Sequence, residues 1–84
     1  MISSTIYVRL VAADKDRGFV LLVGYDNRIV QRTAIQSISI SVPTQHYLDA
    51  AIERVKANYS ASEVRNVTEA GIVKRFEKAA KAHA

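Results

Sequence analysis

Apolar and polar residues alternate from Thr5 to Ala13. Ile6, Val8, Leu10 and Ala12 fall on one side and Tyr7, Arg9 and Val11 on the other, which is the period of a half-buried strand. Asp14 to Gly18 follows as a polar connection whose glycine suits a tight loop. Phe19 to Tyr25 is then apolar on both sides, with Phe19, Leu21, Val23 and Tyr25 opposite Val20 and Leu22. A strand of that kind is most simply a central one. Asp26-Asn27 reads as a two-residue hairpin turn, because both residue types tolerate left-handed backbone. The third strand is expected from Arg28 to Val42. Its alternation changes phase: Ile29 and Ile35 have odd numbers, whereas Ile38, Ile40 and Val42 have even ones. A period of two cannot place both sets on one face, so a bulge or break is predicted near Gln36-Ser37.

The period changes at Pro43, which blocks further strand pairing, and Thr44 is placed to cap a helix through its hydroxyl. Leu48, Ile52, Val55 and Tyr59 recur at helical spacing and form one apolar stripe, while Asp49, Glu53, Arg54 and Lys56 take the other face. This helix should end near Asn58 to Ser60 and lie across the sheet. The remainder has two readings. In the first, Glu63 to Thr68 is a short strand and Thr68 caps a helix that runs to about Lys81. In the second, Ser60 and Glu63 make a capping box for one long helix from Ala61 to Ala82. β-Branched Val64, Val67 and Thr68, together with Gly71, favour the first. Ile72, Val73, Phe76, Ala79 and Ala80 supply the apolar side of the last helix, with Lys74, Lys78 and Lys81 opposite. The expected fold is therefore a single α+β domain over residues 1–84. It is a three-stranded antiparallel meander followed by helix, short strand and C-terminal helix (β-β-β-α-β-α), with β-β-β-α-α as the alternative.

Composition narrows the function classes. The chain has 84 residues, 49% hydrophobic and 24% charged, which suits one small hydrophobic core and not a disordered chain. It has no cysteine, so no disulfide framework or thiolate metal site can be proposed. The first residues lack the basic start and apolar run of a signal peptide, and the longest apolar run, Phe19 to Tyr25, falls far short of the roughly 20 residues of a membrane helix. The expected location is cytoplasmic, without membrane partners. The net charge is +4, and from Arg54 onward seven basic residues face three acidic ones. That excess suits an acidic partner or a solvated face.

No catalytic or metal-binding set emerges from the spacing. His46 and His83 are the only histidines, and no His, Asp and Glu cluster has ligand spacing. No cofactor is implied. Two surfaces invite a binding reading. Ser37, Ser39 and Ser41 alternate with Ile38 and Ile40, so this strand offers a hydroxyl-lined face and, at a sheet edge, backbone hydrogen bonds to a partner. Lys74, Arg75, Lys78 and Lys81 on the last helix, with Arg65 nearby, could meet phosphates. Tyr7, Arg9 and Tyr25 on open sheet surface would suit base stacking, but the signatures of RNA-binding sheets are missing.

Two stretches carry a family resemblance. Thr44 to Ile52 is similar to the first-helix pattern of the ribonuclease H family, in which a Thr/Asn-rich start leads through an acidic residue into Leu-x-Ala-Ala-Ile. Ala61 to Ala70 is similar to the segment where that family's fourth strand ends in Thr-Asp-Ser and enters the second helix. The order of elements resembles the first part of the same fold. The resemblance implies a nuclease only if several carboxylates converge to hold two metal ions. Here the first-strand acid is replaced near Arg9 and the first-helix acid near Tyr47, and only Glu69 stands at an acidic position. The resemblance therefore implies a non-catalytic relative. Together these readings give a small non-enzymatic module that binds a protein partner or a second copy of itself, as an inhibitor or accessory factor of the kind found in phages. Nucleic-acid binding through the basic C-terminal helix is the alternative.

Overall fold

The computed structural model describes residues 4–13 and 18–83. The expected connection at Asp14 to Arg17 and the side chain of His83 lie outside the described residues. The elements are β1 (Thr5–Ala12), β2 (Phe19–Gly24), β3 (Gln36–Ile40), α1 (Gln45–Asn58), β4 (Glu63–Asn66) and α2 (Ala70–His83). This is a small α+β fold in the order β-β-β-α-β-α. The strands form one mixed sheet in the spatial order β3-β2-β1-β4. β1 and β2 pair antiparallel, as do β2 and β3, while β4 lies parallel to β1.

Strand alternation decides which face the helices cover. Ile40, Phe19 and Ala12 share one cross-strand row, and Ile38, Leu21 and Leu10 share the next. Except for Ala12, these side chains, with Ile6, Val8, Val23 and Val64, meet Leu48 and Val55 of α1 and Phe76 of α2 in a single core. Phe19 and Phe76 join β2 to α2 edge to face, with ring centroids 5.1 Å apart and planes at 75°. Both helices therefore lie on one side of the sheet. The stripe expected on α1 is the stripe that packs, with Leu48 and Val55 buried and Ile52 and Tyr59 half-buried.

The start of β3 corrects the sequence reading. Residues Tyr25 to Ile35 are not a strand but an excursion containing a short 3₁₀ turn at Gln31–Thr33, and pairing begins at Gln36. Asp26-Asn27 does not make a two-residue hairpin. Asp26 Oδ1 instead accepts from the Arg28 N–H at 2.9 Å, closing a local turn. The phase change arises because Ile29 is buried on the helix-free side of the sheet, 1% exposed, against Gly24. A Cβ at Gly24 would stand 3.1 Å from Ile29 Cγ1, so the glycine makes the seat. Ile29 thus serves the helix-free face and Ile38 and Ile40 the core, while Ile35 is 42% exposed.

Helix ends follow local chemistry, with one further correction. The Thr44 hydroxyl accepts from the Tyr47 N–H and caps α1. At the other end Ser60 takes a left-handed φ of 49°. The Ser60 N–H bonds Ala57 O and the Ala61 N–H bonds Lys56 O, which is a Schellman closure. This turn ends α1, and the pairing of Glu63–Asn66 with β1 as a strand excludes the long-helix alternative. Thr68 does not cap α2, which begins at Ala70. Its hydroxyl accepts from the Leu10 N–H at 2.9 Å and so ties the end of β4 to β1.

Candidate interaction edge

The sheet ends in two edge strands of opposite character. β4 has four residues, and its Glu63 and Arg65 side chains pair at 2.7 Å. Charge and shortness are the usual devices that keep an edge from pairing. β3, only one residue longer, carries no charge: from Gln36 to Val42 there is no charged residue and no proline. It pairs with β2 on one side and has no partner on the other among the described residues.

The predicted edge residues divide by face. Ser37 and Ser39 are exposed and lie in register with Leu22 and Val20 on the helix-free side. Ser41 is exposed just beyond the strand end. Ile38 is half-buried and Ile40 is 0% exposed, because both point under α1 into the core. Ile40 can therefore offer a partner only its backbone. Beside Ile38 runs a groove of about 110 Å³ lined by Tyr47, Ala50, Ala51 and Arg54. Drug-sized ligands occupy about 300–1,000 Å³, so the groove suits one or two side chains of a polypeptide.

The flank of α1 was not evident as a surface from the sequence. Its signal is a second helical stripe, Tyr47, Ala51, Arg54 and Asn58, turned to one side of the core stripe. Tyr47 is 38% exposed, and Arg54 makes no ion pair among the described residues. α1 runs antiparallel to β3: the Tyr59 hydroxyl near its C-terminus donates to Gln36 Oε1 at 2.8 Å, at the start of the strand. The groove thus lies between α1 and β3 at Ile38.

The basic residues are brought only partly together. Lys74 and Lys81 are exposed on α2 away from the face that carries Ile72 and Phe76, Arg75 and Lys78 are exposed along its border beside Phe19 and Ala79, and none of the four pairs with an acid among the described residues. Arg65 lies on another element and is engaged by Glu63. That hydrogen bond, followed by the charge of Glu63 and then that of Tyr7, raises the Arg65 pKa above its ordinary value.

The positions picked out by the ribonuclease H resemblance form an ion pair. Arg9 Nη2 donates to Glu69 Oε1 at 2.6 Å, and Nη1 donates to Ile29 O at 3.1 Å. Arg9 fastens the excursion before β3 and the entry of α2 to the sheet, so its guanidinium is committed to these partners. Tyr47 sits on the helix side of the sheet and Arg9 on the other, and the two do not converge. Among the described residues no three or more His, Cys, Asp or Glu side chains come together in a way that could hold a metal ion, and no helix is long and apolar enough to cross a membrane. Comparison with known proteins finds no matching family, no matching curated protein and no matching solved structure.

Proposed function

We propose that this protein is a non-catalytic interaction module that captures a polypeptide by adding a strand to the outer edge of β3. One observation supports the reading: the uncharged β3 edge of the sheet is flanked by an apolar groove, while the β4 edge carries an exposed ion pair. Backbone hydrogen bonds along β3 supply affinity, and alternate side chains of the added strand enter the groove between Ile38 and Tyr47. Such a module acts as an inhibitor or accessory factor. The test is affinity capture with the native chain and with Ser39→Lys, a change at an exposed position that places a charge on the edge. Capture falls at least tenfold with the fold retained by circular dichroism; full capture by the folded variant overturns the reading.

A second reading has its own support in four exposed cations of α2 that have no acidic partner among the described residues. Phosphate contacts by Lys74, Arg75, Lys78 and Lys81 predict affinity for nucleic acid with a salt slope of about −0.9 per contact on duplex DNA. No retardation in a low-salt gel shift removes this reading.

A further inference from the structure

We infer that the strand occupying the β3 edge is β3 of a second copy of this chain, paired antiparallel about a two-fold axis at Ile38. The inference rests on the reading of β3 as a pairing edge and goes further by naming the occupant. Three features of the molecule select its own copy.

The first is register. About Ile38, Ser37 faces Ser39 of the other copy and Gln36 faces its Ile40, so each hydroxyl side chain stays on the helix-free side and each isoleucine on the core side. A strand is free to meet itself only when no like charges oppose each other. β3 has none, although the chain as a whole carries +4.

The second feature is the flank of α1. It runs antiparallel to β3, so the same axis sets it antiparallel to its copy. A crossing at Ala50 and Ala51, which line the groove beside Ile38, brings small residues to the point of closest approach. Tyr47 then faces Arg54 of the other copy.

That pairing is the third feature. A guanidinium without an acidic partner among the described residues meets the face of a half-exposed tyrosine, and symmetry makes the contact twice. The stripe is complementary to itself and pairs with no acid among the described residues.

Sedimentation equilibrium on the full chain at high micromolar concentration tests the proposal. The native protein is expected at twice its chain mass of 9.3 kDa. The double variants Ser37→Lys with Ser39→Lys, and Ser37→Glu with Ser39→Glu, are each expected folded and at the single mass. An equimolar mixture of the two is expected to return to the double mass, because the opposed charges then attract. Tyr47→Ala, which leaves the strand untouched, should weaken association roughly tenfold. A native chain at the single mass, or a mixture that stays there, overturns self-pairing. If the native chain is monomeric yet its capture of a partner is lost on charging the edge, self-pairing fails and the edge reading stands. If mass and capture are both indifferent to charge on the edge, both fail.

Discussion

β3 and β4 close the same sheet by different means. β4 is held in place by many local ties and presents charge. The Leu10 N–H bonds the Thr68 hydroxyl, the Val67 N–H bonds Val8 O, and the Ser62 hydroxyl donates to Ser4 O. Glu63 and Arg65 stand on its surface as an ion pair. β3 is held through its side chains, since Ile40 and Ile38 reach under α1 and Gln36 accepts from Tyr59. Its backbone edge is left unguarded. Where an edge strand is fixed from below by its core side chains, its outer hydrogen-bonding groups remain available without loosening the strand. Under the proposed function, pairing falls to β3 and closure to β4.

The largest expected effect probes the footing of β3. Ile40 is 0% exposed and packs among Phe19, Leu21 and the helices. Ile40→Ala should destabilise by about 2–5 kcal/mol, the usual range for emptying such a site. Chemical denaturation would measure it as a lower midpoint at unchanged slope. A loss below about 1 kcal/mol would break the comparison, because β3 would then be a loosely attached edge.

Much of this arrangement is legible in the sequence, and the misses share a cause. The stripe of Leu48, Ile52, Val55 and Tyr59 is readable because one helix period serves one core. Ser37 to Ser41 is readable as an edge candidate because its alternation is strict. Ile29 is not readable in the same way: its burial depends on the missing side chain of Gly24 on a neighbouring strand. Thr68 has the local signature of a helix cap, yet its hydroxyl is claimed by Leu10, 58 residues earlier. The groove was missed because Tyr47 and Arg54 become neighbours of Ile38 only after α1 is laid antiparallel on β3. Periodicity reports one face of one element; contacts between distant elements leave no local mark.

The next effect tests the closure of β4. Thr68→Val keeps the shape of the side chain but leaves the partly buried Leu10 N–H without its acceptor. The expected cost is about 1–3 kcal/mol. Hydrogen exchange at Leu10 and Val67 should rise more than at residues of β3. Equal acceleration on both sides would mean that the two edges open together and that their different ties carry no separate stability.

The smallest effect, a gain in stability, lies at the turn that delivers the chain to β4. Ser60 holds a φ of 49°, which a side chain occupies at a cost and glycine does not. The contacts of this turn are made by backbone: Ser60 O accepts from the Ser4 hydroxyl at 3.2 Å, and the Ser60 N–H closes α1 on Ala57 O. Ser60→Gly preserves all of them. It should stabilise the fold by up to about 1 kcal/mol, the relief of left-handed strain exceeding the entropy glycine adds to the unfolded chain. Polypeptide capture at β3 should be unchanged, since Ser60 itself bonds only Ser4 and Ala57 among the described residues and the substitution leaves the Tyr59–Gln36 contact in place. A gain in stability accompanied by weaker capture would show that the turn is coupled to β3 through Tyr59, which caps α1 and bonds Gln36.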